Sequence, residues 1–353
     1  MKLNLPTLLL ILSTVLISCT SKNETKSFRP GQLWLDTDST HINAHGGGII
    51  FDNGRYWWFG EHKVQGDEGN RAQVGVGCYS SEDLYTWKNE GIALAVVEND
   101  TLNPISKGCI LERPKVVFNK KTGKYVMWFH LEILGQGYKA ANYGVAVADK
   151  ITGPYSFVTN GRSCPGILPI NAPEKNDTLT YIWRDLEGGQ MARDQTIFVD
   201  DDNKAYHIFS SEENATTHIA ELSDDYLSHT GKYKRLFLNR SMEAPAICKR
   251  NGKYYFIGSG CTGWAPNKAR MAYSTDLFGQ WTELENPCKG EGSDKTFGAQ
   301  STYIIKVADK PDTYIFCADI WRPKDARDGR YLWLPMKWNG DQIEIEYQKE
   351  WSL

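Results

Sequence analysis

One short phrase returns five times along this chain and constrains its fold more than any other feature: a turn, then a tyrosine set among aromatic and β-branched residues. The copies read NGRYWWFGE (53–61), TGKYVMWFH (122–130), DNKAYHIFSS (202–211), NGKYYFIGSG (251–260) and PDTYIFCAD (311–319). A second phrase follows each: YSSEDLYTWKNEG (79–91), VADKITGPYSFV (147–158), ELSDDYLSHTGKYKRL (221–236), AYSTDLFGQWTEL (272–284) and LPMKWNGDQIEIEY (334–347). Short alternating segments punctuated by Gly, Asn and Asp are the pattern of strands joined by hairpins, and helical periodicity is nearly absent. A strand-rich unit repeated five times predicts an all-β chain, with each unit a small antiparallel sheet set about a common axis. The expected architecture is therefore a five-bladed β-propeller in a single domain, 30–353. A β-sandwich of many hairpins is the alternative. The long loop-like stretch 161–192 is of the kind that shapes a binding face.

Composition narrows the function. With 43 acidic against 40 basic residues the formal charge is −3, and no concentrated basic face is evident, so a nucleic-acid partner is not expected. Twelve Trp and eighteen Tyr suit strands, and their flat faces also suit the C–H faces of sugar rings. At the start of the chain Lys2 precedes the apolar run LPTLLLILSTVLIS, too short for a comfortable membrane span. The run ends in LISC, which resembles the lipobox of bacterial lipoproteins. The expectation is a signal peptide over 1–19 ending at a lipidated Cys19, a flexible tether over 20–29, and a lipid-anchored home in the bacterial cell envelope, at the outer membrane. An ordinary secretory signal is the alternative. Eight cysteines are present, Cys19 among them. The other seven show no CxxC spacing, so a zinc site is not expected. An odd number leaves at least one unpaired; Cys261–Cys288 is a candidate bridge.

Five phrases, taken in order, carry a family resemblance: ERPKVVFN, RDQTIFVDDD, EAPAI, SGCTGWAPN and AQST. Together they resemble glycoside hydrolase family 43, over essentially 30–353. That resemblance implies a five-bladed β-propeller with the active site at its axis, and an inverting glycosidase. Most of the family uses a base Asp in a DP context before the first inner strand. Here that place reads AHGGGII (44–50), and both Asp and Pro are missing. AHG-G-GI and WFGE resemble the branch of exo-acting β-1,3-galactanases. A neighbouring branch, with α-L-arabinofuranosidases and β-D-galactofuranosidases, shares the SEEN, SGCTGWAPN and QST phrases.

The resemblance implies roles residue by residue. Glu243 stands where the general acid belongs and Asp194 where a second carboxylate keeps that acid protonated. Arg193, beside it in the strand, points to the opposite face and reads as a structural partner. Glu112 matches an essential Glu of the galactanase branch, holding sugar hydroxyls or assisting the water. Gln300 matches a Gln that positions the water, its amide carbonyl able to accept a hydrogen bond from it. On this reading the glycines leave room near the axis, and Gln300 with Glu112 replaces the lost Asp. Glu61, Tyr138 and Asn214 fall near positions that hold the terminal sugar, with Tyr143 the alternative to Tyr138. Trp264 is a stacking platform. Cys261 or Thr262 stands where the branch uses a Thr, and Trp321 and Arg322 are expected near Gln300. His45 either lines the pocket centre or bonds beneath the glycines. The acidic run Asp200–Asp202 reads as a hairpin turn rather than a calcium site. No residue spacing compels a metal, and no cofactor is expected, although some family members hold a metal at the axis.

The function expected is an exo-glycosidase, a monomer acting on an oligo- or polysaccharide and removing terminal sugars from arabinogalactan-type plant glycans. A galactan β-1,3-galactosidase competes with an α-L-arabinofuranosidase or β-D-galactofuranosidase. A non-catalytic glycan-binding lipoprotein is the reading from another class.

Overall fold

The computed structural model describes residues 26–71 and 73–353. The signal segment and Cys19 lie outside them. The fold is an all-β propeller. His45–Asp52 (β1), Arg55–Lys63 (β2), Gln73–Ser81 (β3) and Lys88–Ala95 (β4) form one antiparallel meander. Ile110–Asn119 (β5), Lys124–Glu132 (β6), Asn142–Ala148 (β7) and Ser156–Gly161 (β8) form the next. Gln195–Val199 (β9), Ala205–Ser211 (β10), Thr216–Leu222 (β11) and His229–Leu236 (β12) make a third. Glu243–Arg250 (β13), Lys253–Ser259 (β14), Arg270–Ser274 (β15) and Thr282–Leu284 (β16) make a fourth. The recurring Asn-Gly pairs are the tight turns of these hairpins. Asn53 and Asn251 sit at φ 49° and 50°, and the glycines after them at 77° and 74°, the two positive values that a type I′ turn needs.

The rest of the chain departs from the five-blade expectation, because six sheets form rather than five. Cys288–Lys289 (β17) precedes a three-stranded sheet of Gln300–Lys306 (β18), Tyr314–Ile320 (β19) and Arg330–Pro335 (β20). Pro335, which has no N–H to donate, ends β20. Lys337–Asn339 (β21) then pairs with Gln342–Glu346 (β22), and β17 joins β22 in parallel to make the sixth sheet. The first strands of the other five sheets close a ring, β1 on β5, β5 on β9, β9 on β13, β13 on β18 and β18 on β1. The cleft described below opens at the start of these strands.

Phe28, inside the stretch expected as a tether, is part of the fold. Phe28 is buried and pairs with Trp351 through Phe28 N–H to Trp351 O at 2.7 Å and Trp351 N–H to Phe28 O at 3.1 Å. Their rings stack 4.4 Å apart beside Trp34 and Trp333. Burying one such ring contributes about 2 kcal/mol, so this contact fastens the two ends of the described chain together. Elsewhere the apolar faces of neighbouring sheets pack on each other, around Trp58, Trp87, Trp128 and Trp333. All seven cysteines here are free thiols; Cys261 is exposed while Cys288 is buried, so the candidate bridge is not formed.

Candidate active site

Four inner strands open with one backbone device. In β1, β5 and β13 the register slips by a residue, between His45 and Gly48, Glu112 and Lys115, and Glu243 and Ala246. The residue in the slip has positive φ: 60° at Gly46, 52° at Arg113, 55° at Ala244. Such β-bulges re-aim side chains and concentrate beside active sites. Strand β18 slips likewise, between Ser301 and Tyr303. Pairing therefore gives His45, Glu112, Glu243 and Gln300 the same station, opposite Glu61, His130, Ser259 and Asp319. The Glu-x-Pro phrases of the sequence, Glu112-Arg113-Pro114 and Glu243-Ala244-Pro245, are these bulges, where Pro costs no ladder bond.

At three of the bulges the freed N–H is taken by a neighbouring carboxylate. Gly46 N–H donates to Asp319 Oδ2 at 2.6 Å, Arg113 N–H to Glu61 Oε1 at 3.0 Å, and Ala244 N–H to Asp194 Oδ2 at 3.1 Å. This explains the glycine run and corrects the expectation that it leaves an open space. A Cβ on Gly46 would lie 2.3 Å from Glu61 Oε1, on Gly47 2.3 Å from Phe59 O, and on Gly48 2.5 Å from Lys115 Cδ. The volume is filled by Glu61, the first hairpin's own backbone and the buried Lys115. Lys115 Nζ donates to Gly46 O at 2.9 Å.

Above this floor lies a cleft of about 670 Å³, lined among others by Glu61, Glu112, Arg113, Tyr138, Asp194, Asn214, Glu243, Trp264, Gln300 and Trp321. That size suits a small ligand. Arg113, which sequence reasoning passed over, is its hub. The guanidinium holds Asp194 Oδ1 at 2.9 Å, Gln300 Oε1 at 2.8 Å and Ser301 O at 3.1 Å. Its place in the same motif as Glu112 was the available signal. Gln300 Oε1 also accepts from Trp321 Nε1 at 2.9 Å, and its Nε2 donates to Ser259 Oγ at 2.9 Å. With two donors on the carbonyl, it is the remaining N–H that is free toward a ligand, not the carbonyl acceptor the sequence suggested.

The carboxylates are held in different charge states. Burial, reinforced by the charge of Asp194, pushes Glu243 up to about 7, while Asn214 Nδ2 donates to its Oε1 at 2.8 Å. Burial also favours a protonated Glu112, but it is outweighed. His130 Nδ1 at 2.8 Å and the Tyr138 hydroxyl at 2.6 Å hold the Glu112 carboxyl down to about 2. His130 is buried, yet Glu112 on one nitrogen and Glu132, at 2.9 Å, on the other raise it to about 10. Glu112, His130 and Asp194 bring potential ligand atoms within 4.8 Å of one another, but a doubly bonded imidazolium is a poor metal ligand. Glu61, raised by burial, keeps Lys63 Nζ at 2.9 Å from its Oε2, and Lys63 reaches Asn70 Oδ1 at 2.8 Å.

Two expected residues are not in the lining. His45 is buried flat against Tyr331, 5.5 Å between ring centres, below the cleft. Thr262 is turned into its own loop, bonded to Ala265 O and Asn267, and Cys261 faces the cleft in its place. Tyr138 lines the cleft, whereas Tyr143 packs on Trp128. Trp264 is 46% exposed and meets Trp321 edge to face. Arg193 sits at the rim, donating to Tyr138 O at 2.8 Å and paired with Glu213 at 3.0 Å. Arg322 pairs with Asp328 instead of joining Gln300. Asp200–Asp202 do form the β9–β10 turn, where Lys249 pairs with Asp200 and Asp201.

Known proteins resemble this chain in fold and sequence. A β-1,3-galactosidase of family 43, solved with galactodeoxynojirimycin, superposes with a TM-score of 0.88 at 50% identity, over 92% of this chain and 100% of that one. An exo-β-1,3-galactanase of Phanerochaete chrysosporium, solved with β-1,3-galactotriose, gives 0.79 at 29% identity, over 93% of this chain and 68% of that one. A β-D-galactofuranosidase of Aspergillus niger is 27% identical over 305 residues, 83% of this chain and 78% of the relative. The profile of glycosyl hydrolases family 43 matches residues 49–343, and the chain, a glycoside hydrolase, belongs to that family.

Proposed function

We propose that this enzyme is an exo-acting β-1,3-galactosidase that inverts the anomeric centre and acts on terminal galactose of arabinogalactan-type glycans. The observation that carries the chemistry is the contrast between Glu243, raised to about 7, and the ionised Glu112 in the same cleft. A carboxyl that stays protonated near neutrality is suited to protonate the leaving glycosidic oxygen. The charge of Asp194 raises it, and Asp194 is itself ion-paired with Arg113.

On the water side there is no strong base, since Glu112 at about 2 is a weak proton acceptor and Gln300 is a neutral amide. The transition state of glycoside hydrolysis resembles an oxocarbenium ion, so an oriented water can attack before it is deprotonated, and the proton shed by the resulting oxonium passes to solvent water. Gln300, fixed by Arg113, Trp321 and Ser259, is assigned that orienting role, and Glu112 the holding of sugar hydroxyls and of positive charge. Glu61, Tyr138 and Asn214 hold the terminal sugar, with Trp264 and Trp321 as its walls. The chemistry needs no cofactor. The five first strands that ring the axis are read as the functional blades, since the sixth sheet contributes no residue to the cleft. From the N-terminal sequence we propose an enzyme lipidated at Cys19, monomeric and held at the bacterial outer membrane.

The similarity to the Aspergillus β-D-galactofuranosidase favours a furanosidase as the second reading. The deciding experiment supplies β-1,3-galactan, an aryl α-L-arabinofuranoside and an aryl β-D-galactofuranoside separately, and identifies the sugar and its anomer at first release. Galactose from the galactan, inverted, supports the proposal. Release only from a furanoside overturns the substrate and leaves the acid in place. Binding without release from any of them returns the cleft to a lectin-like role.

A further inference from the structure

A second groove, of about 280 Å³, adjoins the cleft and shares Tyr138 and Arg193 with it. Its other lining residues are Lys139, Arg162, Arg184, Asp185, Met191 and Glu213. Four cations thus face two carboxylates in a chain whose overall charge is negative. The carboxylates are already committed. Asp185 takes two bonds from Arg184 at 2.8 Å and a longer one from Arg162 at 3.4 Å, and Glu213 bridges Arg184 and Arg193 at 3.0 Å each. Arg162 is braced by Ala140 O at 3.0 Å and Lys139 O at 2.8 Å, so its guanidinium is fixed. Lys139 is exposed and has no acidic partner among the described residues. The Nε of Arg193 is buried with no acceptor among them. A preorganised excess of donors beside a sugar site is matched by an oxyanion, since guanidinium and ammonium bonds to carboxylate or sulfate are the strong charge-assisted kind.

We propose that this groove is a subsite for an anionic substituent of the glycan, a uronic-acid carboxylate or a sulfate ester on a unit next to the galactose in the cleft. The inference rests on the β-1,3-galactosidase reading of that cleft.

The test compares kcat/KM of the intact enzyme on four matched galacto-oligosaccharides: neutral, uronic-acid-bearing, the same compound after carboxyl reduction, and sulfated. An anionic substrate turned over roughly tenfold better than its neutral match, with the gain shrinking as salt is raised, supports the subsite. Whether the uronate or the sulfate shows the gain identifies the source. Lys139→Gln, an exposed change outside the cleft, is expected to cut the gain several-fold and leave the neutral rate unchanged. Turnover of the neutral compound with no gain on either anionic one overturns this inference alone. No turnover of any of the four overturns the reading on which it rests. As a second measure, Arg184→Gln is expected to weaken inhibition by the free anionic side chain, and unaltered inhibition counts against the groove.

Discussion

Asp194 Oδ2 accepts the N–H of Ala244 at 3.1 Å, which fixes this carboxylate against the strand that opens with Glu243. The charge of Asp194 therefore stands at a set place beside the proposed acid, and it reinforces the burial that raises Glu243 to about 7. Backbone geometry and acidity are linked through one bulge.

The first prediction follows from that link. Glu243→Gln is expected to lower kcat by roughly 10²–10⁴-fold while oligosaccharide binding persists. In the unmodified enzyme the protonated form is the active one, so the rate falls as pH rises through about 7. Asp194→Asn removes a charge that raises this value, and the alkaline limb moves to lower pH. A limb that stays in place in the Asn variant would mean that Asp194 does not tune the acid.

Arg113 supports a second prediction. One guanidinium binds Asp194, just before β9, and Gln300, which opens β18, and lysine cannot reproduce that fork. Arg113→Lys is expected to reduce kcat/KM by about 10–100-fold and to destabilise the fold by about 3 kcal/mol, since it leaves a poorly paired carboxylate. Kinetics and urea unfolding on the same preparation check both. Full activity with normal stability would remove Arg113 from the centre of the site.

What the sequence disclosed, and what it hid, divides along the backbone. Hairpins were legible because Asn53-Gly54 and Asn251-Gly252 are local turn chemistry. The candidate carboxylates Glu112, Asp194 and Glu243, and the amide of Gln300, were legible through short motifs, and all of them line the cleft. Arg113 was passed over because its importance lies in contacts with Asp194, Gln300 and Ser301, far away in the chain. The fate of the glycines was hidden for the same reason: Lys115 and Glu61 fill their space only once three strands meet. Whether His45 lines the pocket or lies beneath it, and which of Cys261 and Thr262 faces it, stayed open in the sequence because a bulge or a loop turn decides which neighbour faces the ligand, and hydrophobic alternation does not record either. The sixth sheet escaped notice because the break at Pro335 falls inside a repeat that otherwise reads as one unit.

The glycine run gives a third prediction, with an internal control. Gly46 at φ +60° and Gly340 at φ +61° carry the same backbone cost for an added Cβ, but Gly340 faces open space and Gly46 faces Glu61 Oε1 at 2.3 Å. Each Gly→Ala change is expected to cost about 1–3 kcal/mol from φ alone, with a further loss only at Gly46. Gly46→Asp, which puts a carboxylate back into the glycine run where the family has its usual base, is expected to lower Tm and to reduce activity. Equal losses at 46 and 340 would show that the floor is not packed as described.

The last prediction concerns pH and stability. Asp319 is buried, and that burial raises its carboxyl to about 7, with the Gly46 N–H opposing. An acid raised in the folded state contributes stability that is fully present below its unfolded value of 3.8 and lost as pH climbs through about 7. Asn at this position can still accept the Gly46 N–H and does not ionise, so the unmodified protein should lose stability relative to Asp319→Asn between pH 4 and pH 7. The upper bound on the change is about 4 kcal/mol, from a shift of roughly three units at about 1.4 kcal/mol each. Urea unfolding of both proteins at pH 4.5 and pH 8 measures it. Stability curves that run parallel across that range would mean that Asp319 is charged throughout, held by Lys115 and Arg113, and that the floor of the site is an ion cluster rather than a protonated one.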